Sequence, residues 1–341
     1  MTIAHEPDAD LIVSHTTAAA ASVARWVARH HSLAVSQCHL IRRGLNDNYA
    51  LQASDGRRYV ARLCAIRPRG GFNITFEAAL LAHLKALGAG VVSVVPTADG
   101  RASVPLHFPE GERALVLFEH AEGAVPESLQ DHELTGAELA RIHQGAHSYA
   151  GPASRYTLDG HHLAGRCLQY LQTHPALDAE LLAIYSGIVQ RLLDELAAVE
   201  AGLTRVMCHG DTHGFNNHVV TDAAGAKRTR FFDFDDAGPG FLAYDLSVLP
   251  WSYLVRKVLK GPDDALRERW THYLRAYRAA GGEVSDSDLA AVPLFLQLRH
   301  LWNLGEGVGR VHHWGANVFS VDWMRKQPDV FEAWRGLDMR V

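Results

Sequence analysis

Three polar residues in the segment 206–240 have the types and the order that metal-assisted phosphoryl transfer requires. Asp211 and Asn216 lie five positions apart in CHGDTHGFNN, and Asp233 follows in FFDFDDAGPG. In this chemistry one carboxylate faces the incoming hydroxyl, while an amide oxygen and a second carboxylate hold magnesium on the nucleotide. We therefore predict that Asp211 accepts the substrate proton and that Asn216 and Asp233 bind Mg²⁺.

Three further aspartates follow Asp233 closely in the sequence. Asp235 is near enough to share the metal, although helix or turn capping explains Asp235 and Asp236 equally well. Asp245, in Tyr-Asp-Leu, stands before an apolar stretch with helical character. We predict that Asp245 caps this helix, with bracing of the Asp211 loop as the alternative.

The same segment permits a rival chemistry, that of a metal-dependent hydrolase. His209 and His213 have the i,i+4 spacing of helical zinc sites. The glycines at 210 and 214 oppose a helix at this point, so phosphoryl transfer is the preferred interpretation. The candidate zinc ligands are Cys208, His209, Asp211, His213, His218 and Asp233.

Composition excludes several other classes of protein. The chain has 341 residues, 48% of them apolar, and a formal charge of −5 without a block of Lys or Arg, which argues against a nucleic-acid surface. It has no 18-residue apolar run, so we expect no membrane span. Four widely separated cysteines and an N-terminus without a signal-peptide pattern predict a cytoplasmic protein.

The first 119 residues predict a β-rich lobe. We expect helices over 16–31 and 73–87, and about five antiparallel strands with turns at Ser54–Arg57, Asp99-Gly100 and Glu110-Gly111. The strand-like stretches are 35–43, 47–53, 58–64, 91–95, 103–108 and 113–118.

From about residue 131 the chain is mostly helical, apart from short strands over 205–234. The fold class is therefore α+β, with a nucleotide-binding lobe at 1–119 and a catalytic and substrate-binding lobe at 120–341. The predicted helices are 131–147, 160–173, 178–200, 242–258, 263–280, 286–305 and 321–337.

The first lobe contains candidates for binding a nucleotide phosphate. No Gly-x-x-x-x-Gly-Lys-Ser/Thr motif is present, so the chain is not a P-loop protein. Arg62 on the third strand and Glu77 on the following helix would form an ion pair that aims the guanidinium at phosphate oxygens. An ordinary surface ion pair is the alternative. The turn RGLNDN adds Gly44 and Asn48 to the predicted nucleotide site.

These motifs resemble those of the aminoglycoside phosphotransferase, choline kinase and type II homoserine kinase superfamily. HGDTHGFN is similar to its His-Gly-Asp-x-His-x-x-Asn catalytic loop, and FFDFDDAGPGFLAYDL to its metal-binding strand and the following Tyr-Asp-Leu. YVARL, Glu77 and VLFEHAEG are weaker matches, and the resemblance covers nearly the whole chain. It implies a bilobal protein-kinase-like fold with a small β-rich lobe and a larger, mainly helical one.

The resemblance also implies roles for the residues. Asp211 would be the catalytic base. The adenine of ATP, or the guanine of GTP, would lie against the hinge residues Phe118, Glu119 and His120. Arg62 stands where many members of the superfamily carry lysine, so it keeps the charge on a bulkier side chain.

The phosphate acceptor is the least defined part of the prediction. The stretch 295–315 and FDFDDAGPG resemble the branch that contains type II homoserine kinase and a bacterial stress-response Ser/Thr kinase. We expect a kinase that acts on a small-molecule hydroxyl, in a hydroxy amino acid, amino alcohol, sugar or antibiotic, with a Ser/Thr protein kinase as the alternative. The predicted pocket residues are His213, Asp235, Asp236, Arg299 and Trp302, and core packing is the alternative for Trp302.

Overall fold

The computed structural model describes residues 10–257 and 261–340. They form two compact units, the first made of the chain up to residue 71 together with 95–118, the second of 72–94 and the chain from 119 onward. The segment 72–94 thus groups with the helical unit, whereas the sequence suggested a single change of unit near residue 119. The boundary between functional lobes at 119 stays a prediction.

A five-stranded antiparallel sheet and one helix make up the first unit, in the strand order β1-β2-β3-β5-β4. Alternate side chains of β2 and β3, such as Tyr49, Leu51, Ala61 and Leu63, are buried in one core, as the two-residue period of a strand requires. The elements are α1 (Ala20–His31), β1 (Val35–Arg43), β2 (Asn46–Ala53), β3 (Arg58–Cys64), β4 (Val104–Phe108) and β5 (Gly111–Glu119).

Two sequence predictions in this region are corrected. Residues 91–95 form no strand: Val91 makes only an isolated parallel bridge to Phe231, in the second unit. Helix α1 begins at Ala20 rather than at residue 16. Thr16 does not cap it, because the backbone N–H and the hydroxyl of Thr16 both donate to the carboxylate of Glu110.

The second unit consists of helices and two short two-stranded sheets, of which three strands lie within the predicted stretch 205–234. Strand β6 (Arg205–Cys208) pairs with β9 (Gly238–Phe241), and β7 (Asn217–Thr221) with β8 (Lys227–Phe231), both antiparallel. The helices are α2 (Ile74–Ala86), α3 (Leu129–His147), α4 (Arg166–Gln172), α5 (Ala179–Val199), α6 (Leu242–Lys257), α7 (Asp264–Ala279), α8 (Asp286–Val308), α9 (Val311–Trp314), α10 (Val321–Met324) and α11 (Gln327–Arg335).

The ends of the predicted helices differ for identifiable reasons. Ser128 and Asp131 form a capping box, so α3 starts at Leu129. The predicted helix 160–173 opens with a π-helical turn, His161–Gly165, and the predicted helix 321–337 is two helices, α10 and α11. Residue 258, the predicted end of α6, lies outside the described residues. Among the described helices, none combines the length and the apolar character of a membrane span.

Candidate active site

Asp211, Asn216 and Asp233 lie in the two segments that connect β6 to β7 and β8 to β9. Asp211 and Asn216 belong to the loop between β6 and β7, which we call the 209–217 loop, and Asp233 follows β8 after one residue. The pairing of β7 with β8 continues past the strands, because the N–H of Phe232 donates to the carbonyl of Asn216 at 3.0 Å. The hairpin therefore fixes the backbone before Asp233 to that of Asn216.

Both oxygens of the Asp211 carboxylate are hydrogen-bonded. Oδ1 accepts from the guanidinium of Arg299, and Oδ2 accepts from the amide of Asn216 at 2.9 Å. His213 Nε2 lies 3.4 Å from Oδ2. Because His213 Nδ1 accepts from the N–H of Phe215, the neutral ring has its proton on Nε2 and can donate it to Asp211.

Opposing effects act on the pKa of Asp211. Burial raises it, but the Arg299 guanidinium, and then His213, outweigh burial and hold the pKa of Asp211 well below its usual range. Asp211 is therefore an ionised carboxylate that accepts hydrogen bonds and donates none.

Asp245 holds the 209–217 loop onto helix α6. Its two carboxylate oxygens accept the backbone N–H groups of His209 and Gly210 at 2.7 and 2.8 Å, and His143 Nε2 lies 3.0 Å away. The hydroxyl of Thr212 donates to the carbonyl of Asp245 at 2.8 Å. The predicted capping role of Asp245 is wrong, because α6 begins three residues earlier, at Leu242; the alternative, a brace for the loop, is correct.

Gly210 permits the turn that precedes Asp211. Its backbone has φ of 87°, in the left-handed region, and a Cβ here would lie 2.3 Å from the carbonyl oxygen of Asp236. Any other residue would strain the backbone and push the loop away from the segment after Asp233.

The rings of His209 and His218 are already engaged, which disfavours the zinc alternative. Nδ1 of His209 accepts from the N–H of Asp211 at 3.2 Å, and its Nε2 lies 3.1 Å from the carbonyl of Phe232, to which it donates. Burial lowers the pKa of His209, in keeping with a neutral ring. His218 Nδ1 lies 3.0 Å from the carbonyl of Ala121. Within the described ranges no three His, Cys, Asp or Glu side chains group as metal ligands.

Asn216 and Asp233 carry oxygen donors of the kind that Mg²⁺ prefers. The amide nitrogen of Asn216 donates to both the carbonyl and the carboxylate of Asp211 at 2.9 Å, so the amide oxygen is the atom left for a cation. The neighbouring Asn217 is less suitable, because it is fully buried and its side-chain oxygen lies 3.3 Å from the hydroxyl oxygen of Thr135. Asp233 adopts a left-handed backbone conformation with φ of 65°, which is uncommon outside glycine and frequent at functional sites.

Arg299 lies in a slot between two tryptophans. Its guanidinium carbon is 4.6 Å from the ring centre of Trp251 and 4.3 Å from that of Trp302. Beside Asp211, the guanidinium donates to the carbonyl of Gly210 and to the hydroxyl of Tyr244, each at 3.2 Å. Contact with two aromatic rings offsets part of the free energy that the buried guanidinium loses with its hydration. The same contacts restrict the orientation of the guanidinium.

The other predicted pocket residues lie near this group, and their contacts with substrate stay predictions. Trp302 is 3% exposed and donates its indole N–H to His162 at 3.3 Å, so it packs in the core. Asp235 and Asp236 are buried in a 3₁₀ turn, and a metal contact by Asp235 also stays a prediction. His213 has its contact with Asp211.

The predicted nucleotide residues of the first unit are Arg62, Phe118, Gly44 and Asn48. Arg62 is buried, with its guanidinium carbon 4.8 Å from the ring centre of Phe118. Asn48 lies opposite Arg62 in the β2–β3 ladder. The N–H of Gly44 donates to the carbonyl of Asn46 at 3.1 Å.

Glu77, Glu119 and His120 belong to the second unit. Glu77 is buried on α2. Glu119 lies 3.5 Å from Lys85, and His120 lies 3.3 Å from Glu122. Pairing of Glu77 with Arg62, and contact of any of these residues with a nucleotide, stay predictions.

Sequence reasoning missed Trp251 and Tyr244 and did not assign Arg299 to Asp211. Trp251 and Tyr244 lie on α6 on either side of Asp245, and of the two only Tyr244 belongs to the motif FFDFDDAGPGFLAYDL. Their apolar neighbours marked them as core residues, and nothing local showed that they would contact an arginine 48 and 55 positions away.

A family model described as the phosphotransferase enzyme family matches residues 16–282. The chain belongs to this family. A protein of Deinococcus radiodurans, described as uncharacterized, is 33% identical over 307 residues, which are 90% of this chain and 87% of that protein. The predicted relationship to the aminoglycoside phosphotransferases is confirmed at the level of this family.

Solved structures of kinases share the fold. One is the amicoumacin kinase hAmiN in complex with AMP-PNP, Ca²⁺ and Ami, with a TM-score of 0.73, 22% identity, and coverage of 94% of this chain and 96% of that one. Another is a microcompartment-associated aminopropanol kinase, with a TM-score of 0.68, 22% identity, and coverage of 93% and 96%. The predicted α+β fold, with a five-stranded antiparallel sheet and a helical C-terminal part, is confirmed.

We predict that Asp245→Asn loosens the 209–217 loop. The amide keeps one oxygen and places an NH₂ group against a backbone N–H, which leaves a buried donor without a partner and costs about 1–3 kcal/mol. Urea denaturation should show this loss in the free energy of unfolding, and hydrogen exchange should be faster at the amides of His209 and Gly210.

Asp222→Asn is the matched control for that variant. Asp222, in the turn after β7, also accepts two backbone N–H groups, but both donate to the same oxygen, Oδ1, which asparagine retains. The control should unfold like the wild type. Equal stability of both variants would mean that Asp245 does not brace the loop.

Proposed function

We propose that this protein is a kinase that transfers the γ-phosphoryl group of ATP to a hydroxyl group of a small molecule. The observation that carries the proposal is the Asp211 carboxylate, ionised and held by Arg299 and Asn216 in a loop that Asp245 braces. Family membership supports the reaction type, and the amicoumacin and aminopropanol kinases show that this fold serves small acceptors.

Asp211 is the proposed general base. An ionised carboxylate has about four lone-pair positions; Asn216 and His213 face Oδ2 and Arg299 faces Oδ1. A position on Oδ1 remains for the acceptor hydroxyl. In a loose phosphoryl transfer the hydroxyl needs orientation more than early deprotonation, so a carboxylate with a low pKa is adequate. The hydroxyl oxygen attacks the γ-phosphorus as the bond to the β-phosphate oxygen breaks, and Asp211 takes the proton.

Asn216 and Asp233 would hold Mg²⁺, with Asp235 as a further candidate ligand. When bound, the ion neutralises charge on the phosphate oxygens and fixes their direction. The protein's own contribution is the position of the two ligands, which the contact between Asn216 and Phe232 sets through the backbone.

Arg62, paired with Glu77, is the proposed phosphate-binding cation of the first unit, and Phe118, Glu119 and His120 would contact the adenine, or the guanine of GTP. The planar guanidinium of Arg62 can bind phosphate oxygens in a bidentate manner, which a lysine cannot do. Gly44, in the turn between β1 and β2, and Asn48, on β2, would complete the nucleotide site.

Arg299 is the proposed positioning residue for Asp211. It bonds the carboxylate of Asp211 and the carbonyl of Gly210 at once, so it sets both the side chain and the preceding backbone. The two tryptophan rings prevent the guanidinium from turning away.

We expect Asp211→Asn to lower kcat by about 10²- to 10⁴-fold, the usual contribution of a general base. The amide cannot take the proton, whereas the nucleotide-binding residues are unchanged. A screen first identifies the substrate for this measurement. It measures acceptor-dependent ATP consumption with hydroxy amino acids, amino alcohols, sugars and antibiotics. Calorimetry with Mg-ADP should show unchanged affinity.

The control for Asp211→Asn is Asp222→Asn, which removes the same charge from the turn between β7 and β8, outside the 209–217 loop. Turnover of Asp211→Asn near the wild-type rate would refute the role of Asp211. Labelling of proteins by radioactive ATP, with no small acceptor, would favour the Ser/Thr protein kinase instead.

Asp233→Asn should weaken the Mg²⁺-dependent binding of ADP by roughly tenfold or more, about 1.4 kcal/mol, because a neutral amide is a poorer magnesium ligand than a carboxylate. The measurement is calorimetric titration of ADP over a series of Mg²⁺ concentrations. Asp235→Asn, measured in parallel, tests whether Asp235 is a further metal ligand. If it weakens the Mg²⁺-dependent binding of ADP as much as Asp233→Asn does, Asp235 also binds the ion. If the affinity is unchanged, Asp233 is the metal-binding carboxylate. Unchanged Mg²⁺ dependence in Asp233→Asn would contradict the metal role.

Arg299→Met should lower kcat by about 10- to 100-fold, since a misplaced catalytic group loses about that much, with little change in Mg-ADP affinity. Arg299→Lys should recover part of kcat, because it keeps the charge next to Asp211 but not the planar stacking between the two rings. A purely structural role predicts equal loss in both variants, together with weaker nucleotide binding. Steady-state kinetics and calorimetry separate the two.

A further inference from the structure

A cavity of about 210 Å³ lies in the second unit, on the side of the 209–217 loop formed by Gly214 and Phe215. It is smaller than the roughly 300–1,000 Å³ of pockets that enclose whole drug-sized ligands, so it can receive one end of a molecule. Its lining comes from the segment 125–127, α3, the loop and α6. The polar lining residues are Glu127, His132, Thr135, Asn217, Ser252, Tyr253 and Arg256.

Each hydroxyl group that lines this cavity already donates a hydrogen bond to another group of the protein. His132 Nδ1 lies 2.7 Å from the carbonyl of Ser128, to which it must donate, and burial lowers the pKa of His132, so the ring is neutral. Its Nε2 therefore accepts from the hydroxyl of Tyr253 at 2.9 Å. Ser252 donates to the carbonyl of Leu249 at 2.8 Å, and Thr135 donates to that of Asp131 at 2.8 Å.

Arg256 is the cation of the cavity. Its guanidinium carbon lies 3.9 Å from the ring centre of Phe215, on the loop that carries Asp211. Within 10–257 and 261–340 no carboxylate lies at ion-pair distance from Arg256, whereas the next residue, Lys257, pairs with Asp263 at 2.9 Å. The N–H groups of this exposed side chain thus lack an anionic partner, and its guanidinium lies over the Phe215 ring.

A second guanidinium adds positive charge behind the cavity wall. Arg269, on α7, lies with its guanidinium carbon 5.2 Å from the ring centre of Tyr253. Its Nε is buried without a hydrogen-bond partner in the described structure. Asp263 is the nearest acid that acts on Arg269, and Asp263 is already paired with Lys257. Glu127 is the one carboxylate among the residues that line the cavity.

We propose that this cavity binds an anionic group, a carboxylate or a phosphate, at the end of the acceptor away from the reacting hydroxyl. The inference rests on the proposed function, because it makes the cavity a subsite of the same reaction. Arg256 binds the anion directly, Arg269 strengthens the positive potential through Tyr253, and Phe215 fixes Arg256 relative to the loop. The acceptor is then a hydroxy acid, a hydroxy amino acid or a hydroxyalkyl phosphate, rather than an amino alcohol without an acidic group.

Paired acceptors test the proposal. Short hydroxy acids and hydroxy amino acids are compared with their uncharged amides, and with the hydroxyalkyl phosphates, in the ATP-consumption assay. We expect kcat/KM to favour the anionic member by roughly tenfold or more, as for one charge-assisted contact. The better of the carboxylate and phosphate series identifies the anion. Equal or better turnover of the amides and amino alcohols would overturn the proposal.

Single-residue variants test whether Arg256 causes the preference for anionic acceptors. Arg256→Gln should reduce the anion-to-amide ratio of kcat/KM to near one, because it removes the contact that favours the anionic acceptor. Arg278→Gln is the control, since it removes the same charge from an exposed position on α7 outside the cavity. Glu127→Gln should keep or increase the preference, because it removes the competing negative charge. A preference that survives Arg256→Gln would contradict the assignment.

A binding measurement decides the matter even when no acceptor supports turnover. Wild type, Arg256→Gln and Arg278→Gln are titrated calorimetrically with inorganic sulfate and with acetate, with Mg-ADP present throughout. Saturable binding that Arg256→Gln abolishes and Arg278→Gln keeps supports the subsite. Absence of saturable binding in the wild type, or binding that Arg256→Gln leaves unchanged, refutes it. The two proposals can fail independently. If the protein binds the anion but shows no acceptor-dependent ATP consumption, the kinase proposal fails and the anion site does not.

Discussion

The Asp245 carboxylate is the contact on which the arrangement of the site depends. It is fully buried at the start of α6 and accepts the N–H groups of two consecutive loop residues, His209 and Gly210. A buried carboxylate without such donors would be costly, and buried N–H groups without an acceptor would be equally so. Loop and helix therefore stabilise each other, and the direction in which the loop leaves β6 is fixed before Asp211 is reached.

A second carboxylate, Asp211, follows within two residues of these N–H groups, in the same short stretch of chain. The structure separates their partners. Asp245 takes backbone N–H groups and His143, whereas Asp211 takes Arg299 and Asn216. Arg299 also donates to the carbonyl of Gly210, so one cation stabilises the acid and the turn that presents it. Loss of any one of these donors leaves a charge or a dipole without compensation, so the group is expected to respond as a unit rather than additively.

The parts of the site that could be predicted from the sequence are those whose residues lie close together along the chain. Asp211, Asn216 and Asp233 lie on one loop and the strand end beside it, so their spacing already implies proximity. Arg299 contacts Asp211 from 88 residues away, a contact that no spacing rule reveals. Asp245 was misassigned because its neighbours resemble a helix start, whereas α6 starts at Leu242 and frees that side chain for the loop. Residues 91–95 have strand composition, but they make only isolated bridges and single backbone hydrogen bonds, such as those of Val92 with Phe231 and of Ser93 with Glu119, so tertiary context and not propensity decided their conformation.

Helix α6 links the chemistry to the choice of acceptor. Asp245 in its first turn holds the loop, Trp251 supports Arg299, and Arg256 near its end contacts Phe215 of the same loop. At 1.5 Å per residue, Asp245 and Arg256 are about 16 Å apart along the helix axis. Helix α6 contacts the loop near both ends, with Pro250 between the two contacts, and so sets the separation between the loop that carries Asp211 and the cation that would bind the far end of the acceptor. Acceptors of the wrong length would then be disfavoured in kcat as well as in binding, because an anion seated at Arg256 would hold the hydroxyl away from Asp211.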